Sequence, residues 1–565
     1  MKTKNLLFIF SSWFIITTCQ KTLALTYYVS PSGNDSHSGT STQTAWQKID
    51  KVNTIELNPG DKVLFEGGHD YPGNLLLTAE DAGTPKQPVV IGSYGSGRAT
   101  IKAGNGSGVE VLNAGGIVVE NLIVTGDDNG TNDGSGIRII NVLPNNEKLS
   151  YIRVRNIEAA GFAGWGIYVG EWWEDRSKSG YKDVRITNCV TYQNKRAGIT
   201  IMGCYPDDPD NYAHSNVYVG YCKAYDNPGD PEYLASESGT GILIGDVDGG
   251  VIEYCEAYNN GYACNIESGG PYGIWTWESN NVVIQYCESH HNRRGGRNDG
   301  GGFDFDAGTT NSVIQYNYSH DNDGSGYLIC SDKNAHTYNN NIFRYNISLN
   351  DCQKGRNGAI TLWTGSPKED PIHNTQIYGN TIYSPTSSAI AFWAKEGIYN
   401  TKIYNNVFIT ANEKILADGK PDRSMATFAG NAYWAVDGKY DFAGSLYWTV
   451  DGKHNIAGYK SLEDWREATG QEMLYGKAVG LVVDPKLMDL GKSITIGDPI
   501  KLHTLIAYQL QKNSPLIDAG LDLRSLFDID PGSRDFYGNS IPQGKAYDIG
   551  AHEFVLEKNL HAEHN

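Results

Sequence analysis

An asparagine or a cysteine recurs ten times through the middle of the 565-residue chain, at Asn121, Asn156, Cys189, Cys222, Cys255, Cys287, Asn317, Asn346, Asn380 and Asn406, with intervals of 26 to 35 residues. A repeat of that length, carrying short strands between polar turns, is one supersecondary unit stacked on copies of itself. Each unit reads alike: Asn281 to Asn292 (NVVIQYCESHHN), then a loop, then Gly273-Ile-Trp-Thr-Trp or Gly302-Phe-Asp-Phe-Asp. Apolar and polar residues alternate, and no i, i+3, i+4 pattern appears. Five residues after the column positions runs a second column, Asn194, Asn227, Asn260, Asn292 and Asn322. Stacked side-chain amides satisfy one another and the turn backbone. Leucine-rich and propeller repeats lack their signatures here. The expectation is a right-handed parallel β-helix, in which strands about 4.8 Å apart make ten coils into a rod roughly 45 Å long.

Composition suits a thin solenoid: 66 glycines, 36 tyrosines and only 39% hydrophobic residues. A chain this long ordinarily splits into several domains, whereas a solenoid need not, because each coil contacts only its neighbours. Residues 1–24 read as a secretory signal, with Lys2 and Lys4 before an apolar run too short to span a membrane. The protein is therefore expected to be secreted or periplasmic and monomeric, with Cys19 as an alternative lipid-anchor site. Residues 25–115 form an N-terminal cap with the first coils, 116–410 the regular coils and 411–565 irregular coils and a C-terminal cap. Short helices are expected in the run from Trp46 and at Leu462–Ala468. Four cysteines stand in the interior column, close enough on successive coils to pair. The simpler reading is a stack of free thiols acting as small hydrophobes, and no zinc-type spacing occurs.

A net charge of −19 argues against nucleic acid or an anionic membrane as partner. An acidic polysaccharide would need local help, and Arg293, Arg294 and Arg297 share one loop.

The run from Tyr27 to Asp35, the Pro59-Gly-Asp motif, Gln315 to Gly324 (QYNYSHDNDG) and the closing Asp548-Ile-Gly-Ala-His-Glu553 resemble exported bacterial right-handed β-helix proteins of the pectate lyase-like superfamily. The resemblance covers nearly the whole mature chain. It implies the fold but not the chemistry, because such relatives include polysaccharide lyases, glycoside hydrolases, dehydratases and non-catalytic adhesins. Function rests on the site.

Aligning coils on their glycines turns the second and fourth strand residues inward and the third and fifth outward. Trp275 and Trp277 then lie outside, beside Asp304 and Asp306 of the next coil, with Glu278 at the strand end. Outward tryptophans need a loop or a sugar ring over them, and two carboxylates about 6.6 Å apart on one strand suit a cation such as calcium or a substrate. His290 and His320 replace Tyr192, Tyr225 and Tyr258 at one outward position. Asp299, Asp321 and Asp323 read as turn formers.

The favoured reaction is β-elimination on a uronate-containing glycan. Arg294, Arg297 or a calcium on Asp304 and Asp306 would neutralise the carboxylate, Lys333 or His320 would abstract the α-proton, and Tyr327 or water would serve as acid. A glycoside hydrolase using two of Asp304, Asp306 and Glu278 is the alternative. A dehydratase on unsaturated oligosaccharides and a non-catalytic glycan-binding module are further ones.

Overall fold

The structure, a computed structural model, describes residues 23–555 apart from short segments at 128–131, 171–178, 204–210, 268, 297–298, 334–335, 355–356, 395, 412–416, 419–420, 450–451 and 457. The signal segment, Cys19 and Arg297 lie outside the described residues. Three strands per coil stack in parallel register. Face one, a 14-stranded sheet, includes Trp165–Gly170, Ala197–Met202, Thr240–Gly245, Tyr272–Trp277, Gly301–Phe305, Tyr327–Ser331 and Gly358–Thr364. Faces two and three belong to one 26-stranded sheet that bends at each coil. Strands such as His214–Gly220 and Asn280–Gln285 make face two, and Lys223–Tyr225, Glu288–His290 and Tyr318–His320 make face three.

Alternation builds the core. Ile199, Ile242, Ile274, Phe303, Tyr327 and Ile360 stand in register on face one and point inward, each at most 1% exposed. Each such side chain contributes roughly 1.5–3 kcal/mol. The C-terminal end of this core is closed by helix Leu462–Thr469, capped by Ser461 and stopped by left-handed Gly470. Its Trp465 lies 5.2 Å from Phe428 and 5.4 Å from Phe442, ring to ring. The early helix is a single turn, Ile49–Val52.

The bend between faces two and three is one residue in left-handed conformation, and it corrects the column read from sequence. Asn121, Asn156, Asn188, Tyr221, Tyr254, Tyr286, Tyr316 and Tyr345 all have φ between 50° and 58°. Asn121 and Asn156 thus belong to this outer turn, where asparagine tolerates positive φ, and Leu122 and Ile157 fill the interior column below Cys189. Cys189, Cys222, Cys255 and Cys287 are buried free thiols, each donating to a backbone carbonyl two residues earlier.

From Asn317 onward the interior column is a hydrogen-bonded ladder. Asn317, Asn346, Asn380 and Asn406 each send a backbone N–H and a side-chain N–H to the amide oxygen of the next asparagine, at 2.9–3.2 Å, as far as Asn431. Asn431 in turn donates its side-chain N–H to Glu472 at 2.6 Å, and Tyr433 donates to the same carboxyl at 2.8 Å. The second column behaves likewise and ends with Asn322 donating to Asp351 at 2.8 Å. Each ladder is therefore terminated by a buried acid. Burial pushes Glu472 up to about 7 and Asp351 up to about 6, against the opposing pull of those donors.

Both acids titrate higher in the folded chain than in the unfolded one. Their contribution is complete below about pH 4 and is lost as the pH rises through 6 and 7. We expect the melting temperature to fall on the order of 5 °C between pH 5 and pH 8, and Glu472→Gln with Asp351→Asn to flatten that slope. An unchanged slope in the double variant, read by differential scanning fluorimetry, removes this explanation.

Beyond Leu481–Val482 the chain leaves the coils and returns along face three. Ile496 and Gly497 donate backbone N–H groups to Glu288, both at 2.7 Å, Lys223 reaches the Gly497 carbonyl, and Ala551 donates to Thr381. Tyr318, Ile347, Leu349, Val407 and Ile409 are covered by Leu502, Leu505, Tyr508 and Leu516 of the return. Among the described residues no helix is long and apolar enough to cross a membrane.

Candidate active site

The outer side of face one is apolar and covered. Trp275 and Trp277 do point outward, yet they are only 5% and 9% exposed and pack with Tyr168, Met202, Leu243 and Leu328. They are covered side chains rather than an open platform. Asp304 stands in register between Trp275 and Leu328, 2% exposed. Its Oδ1 and the Trp275 Nε1 are buried with no hydrogen-bond partner among the described residues, each a cost of about 1–3 kcal/mol. Asp304 is thus on a desolvated part of the strand face.

Asp306 follows the strand directly; its N–H donates to the Thr276 carbonyl at 2.9 Å and its Oδ1 accepts the Ala307 N–H at 2.7 Å. Asp299 precedes the strand with φ of 57°. The intervening Gly301 has no room for a side chain, because a Cβ there would lie 2.1 Å from the Tyr272 ring. The three carboxyls lie close enough to act on one another electrostatically. Burial first, and Asp306 second, push Asp299 up to about 7. Burial, then Asp306 and Asp299, push Asp304 well above the carboxylate range. Burial pushes Asp306 up to about 6, with the Cys330 thiol and the Ala307 N–H pulling the other way. The charges that raise all three are other carboxylates, including Glu237 and Asp332.

The remaining residues predicted for the site are elsewhere. Glu278 is fully buried and accepts the His336 backbone N–H at 3.1 Å and pairs with its Nδ1; Tyr212 stacks on that imidazole at 4.3 Å. Lys333, expected as a base, has a side chain 77% exposed and lies 3.6 Å from Glu369. Tyr327 points into the core, donating to the Asn317 and Ile347 carbonyls. Arg294 donates to the Lys354 carbonyl, while Arg293 and Lys354 pair with buried Asp323 at 3.1 Å. That basic loop is a structural knot around one carboxylate.

His290 and His320 continue the stack Tyr192, Tyr225, Tyr258 at 4.7–5.2 Å between rings, but on face three, apart from the aspartates. His320 is fully buried, with Nε2 3.2 Å from Glu288 and Nδ1 3.0 Å from Asp321. Burial opposes its charge, and those two carboxylates outweigh it, so its pKa is raised. Ligand atoms of Glu288, His290 and His320, and of His291, His320 and Asp321, converge within 4.8 Å. Both His320 nitrogens are nonetheless held by carboxylates, and an imidazolium is no metal ligand. Asp304 and Asp306 belong to neither converging group of described residues, and a calcium ion needs six to eight oxygens.

Asp299 and Tyr272 were missed by reading Asp299 as a turn former. The available signal was the Gly300-Gly301-Gly302 run, which seats an acid on each side of one strand.

A family model described as "Right handed beta helix region" matches residues 169–296 and 262–382. The chain carries a right-handed β-helix domain. A lacto-N-biosidase of Bifidobacterium longum subsp. longum is 26% identical over 479 residues, which cover 68% of this chain and 29% of that protein; the chain thus spans less than a third of that relative. Among solved structures, the GH136 lacto-N-biosidase of Eubacterium ramulus superposes with a TM-score of 0.50 at 21% identity, covering 74% of this chain and 68% of that one. Pectate lyase Pel9A covers 94% and 97% at 15% identity with a TM-score of 0.41. These relatives are glycan-processing enzymes by name.

Proposed function

We propose that the protein is a glycan-active enzyme that hydrolyses a glycosidic bond, with Asp299 as general acid and Asp306 as the ionised partner that activates water or attacks the sugar. The observation that carries this reading is the group of three desolvated carboxyls at face one, with Asp299 pushed up to about 7, Asp306 up to about 6 and Asp304 well above the usual carboxylate range by burial and by its two neighbours. Such staggering supplies a proton donor and a base from one residue type. Asp304, neutral and aimed outward beside Trp275, is a hydrogen-bond donor for a sugar hydroxyl. The covered tryptophans exclude water, which strengthens these interactions. Two relatives named lacto-N-biosidases support hydrolysis. Elimination is supported less, because Lys333 is exposed, His320 is enclosed on another face and Arg293 and Arg294 are tied around Asp323.

The test is incubation with lacto-N-biose-capped oligosaccharides and with uronate polysaccharides, following reducing ends and absorbance near 235 nm. New reducing ends on a flat trace, unaffected by EDTA, are the expected result. A rising trace means new double bonds and overturns hydrolysis in favour of a lyase. Binding with neither signal overturns catalysis. We propose export as well; the mature N-terminus falling near residue 25 on mass spectrometry is the expected observation.

A further inference from the structure

A second feature lies on the opposite side of the coils from the carboxyl group. Where the left-handed tyrosines mark the bend between faces two and three, Tyr221, Tyr254, Tyr286 and Tyr316 stack at 5.1–5.2 Å. The returning C-terminal segment crosses this column and leaves an open pocket of about 510 Å³. Tyr286, Tyr316 and Arg344 from the coils line it together with Arg524 and Arg534 of the returning segment.

The pocket is built rather than incidental. Tyr378 donates to the Asp530 carbonyl at 2.8 Å and Tyr316 to the Arg534 carbonyl at 3.1 Å, which pins the loop. Arg344 donates from Nε to Gln315 at 2.8 Å and from Nη1 to the Tyr378 hydroxyl and the Asp530 carbonyl at 3.1 and 3.2 Å. Its orientation is therefore fixed, while its Nη2 makes no hydrogen bond among the described residues. Arg534 spends one nitrogen on the Gly538 carbonyl. Gly532, at φ of 87°, passes so close that a Cβ would sit 3.1 Å from Arg344 Nη1 and 3.5 Å from Nη2. Three guanidiniums face one lining carboxylate, Asp530, which pairs with Arg524. On a chain of net charge −19 this is a local excess of positive charge, of the kind that concentrates anions.

Planar guanidiniums with free edges match a carboxylate in two parallel bonds. The volume is far beyond that of a bare inorganic anion and within the range of small-molecule sites. The tyrosine edges offer an apolar surface to the ring that carries the charge. We propose that this pocket is a second glycan-binding site, taking a carboxylate-bearing sugar residue between Arg344 and Arg534. It is independent of which bond the carboxyl group of face one cleaves.

The experiment is saturation-transfer NMR on the full chain with sodium glucuronate as probe, against glucose and sodium sulfate. Glucuronate is expected to bind and glucose not. Sulfate is expected to compete only weakly. Arg534→Gln should weaken binding about tenfold, the loss of one charge-assisted pair. Gly532→Ala should do so at least as strongly, and Asp306→Asn should leave binding intact. Thermal melts check that each variant is folded, and the exposed Arg534→Gln keeps the test open if Gly532→Ala is not. Equal binding of glucose, full displacement by equimolar sulfate, loss of binding in Asp306→Asn, or no effect of Arg534→Gln each overturns the proposal.

Discussion

Asp306→Asn is expected to lower kcat by roughly a thousandfold, the scale of a lost acid or base, while leaving the melting temperature unchanged or raised. An amide cannot ionise, and burying an ionised Asp306 is a cost that the substitution removes. Asp299→Asn should cost a similar factor on substrates with poor leaving groups. The pH dependence carries the sign. Activity needs Asp306 ionised, so it falls as pH drops below about 6, and needs Asp299 protonated, so it falls as pH rises above about 7. The wild-type profile should be a narrow bell between those limits, and Asp299→Asn should abolish its alkaline limb. Lys333→Ala should stay within about twofold of wild type, since an exposed surface ion pair contributes little. Full activity in both aspartate variants, measured as kcat/KM across pH, removes the assignment.

Asn346→Leu should destabilise the protein by about 3–5 kcal/mol or prevent its accumulation in folded form. The side chain accepts from the backbone and amide of Asn317 and donates to Ile314 and Asn380. Leucine leaves several buried groups unpaired at about 1–3 kcal/mol each. At the equivalent station four coils earlier, Cys222→Val should cost about 1 kcal/mol or less, because a buried thiol behaves as a small hydrophobe. Urea unfolding of the two variants compares them directly. A small effect for Asn346→Leu means that water or backbone movement takes over the amide's role.

The repeats and the inward and outward assignment on face one were legible because period-two alternation and stacked identical residues act locally. Even there, Asn121 and Asn156 were placed one residue out of register, since asparagine suits both an interior ladder and a left-handed turn. The site was less legible. Trp275 and Trp277 were correctly sent outward, but burial depends on what lies over them. Glu278 looked available because its partner His336 is 58 residues away. Tyr327 occupies an inward position by the same alternation that placed Asp304 outside, so its side was predictable and its assignment as acid was not consistent with it. His290 and His320 were recognised as a break in a tyrosine stack, a real polar demand, but that demand comes from Glu256, Glu288 and the returning chain.

That return has a consequence for how the molecule comes apart. Coils that touch only their neighbours can melt one at a time from either end, like a row of weakly linked units. Here residues 491–497 are fastened to Lys223, Glu288 and Asp321, and residues 521–551 to Asn405 and Thr381. One segment spans many coils at once, so none of them can open at the C-terminal side without releasing it. The strap converts a fraying stack into a block that unfolds in a single step, and a chain cut after Leu481–Val482 should keep its strands but lose its sharp transition.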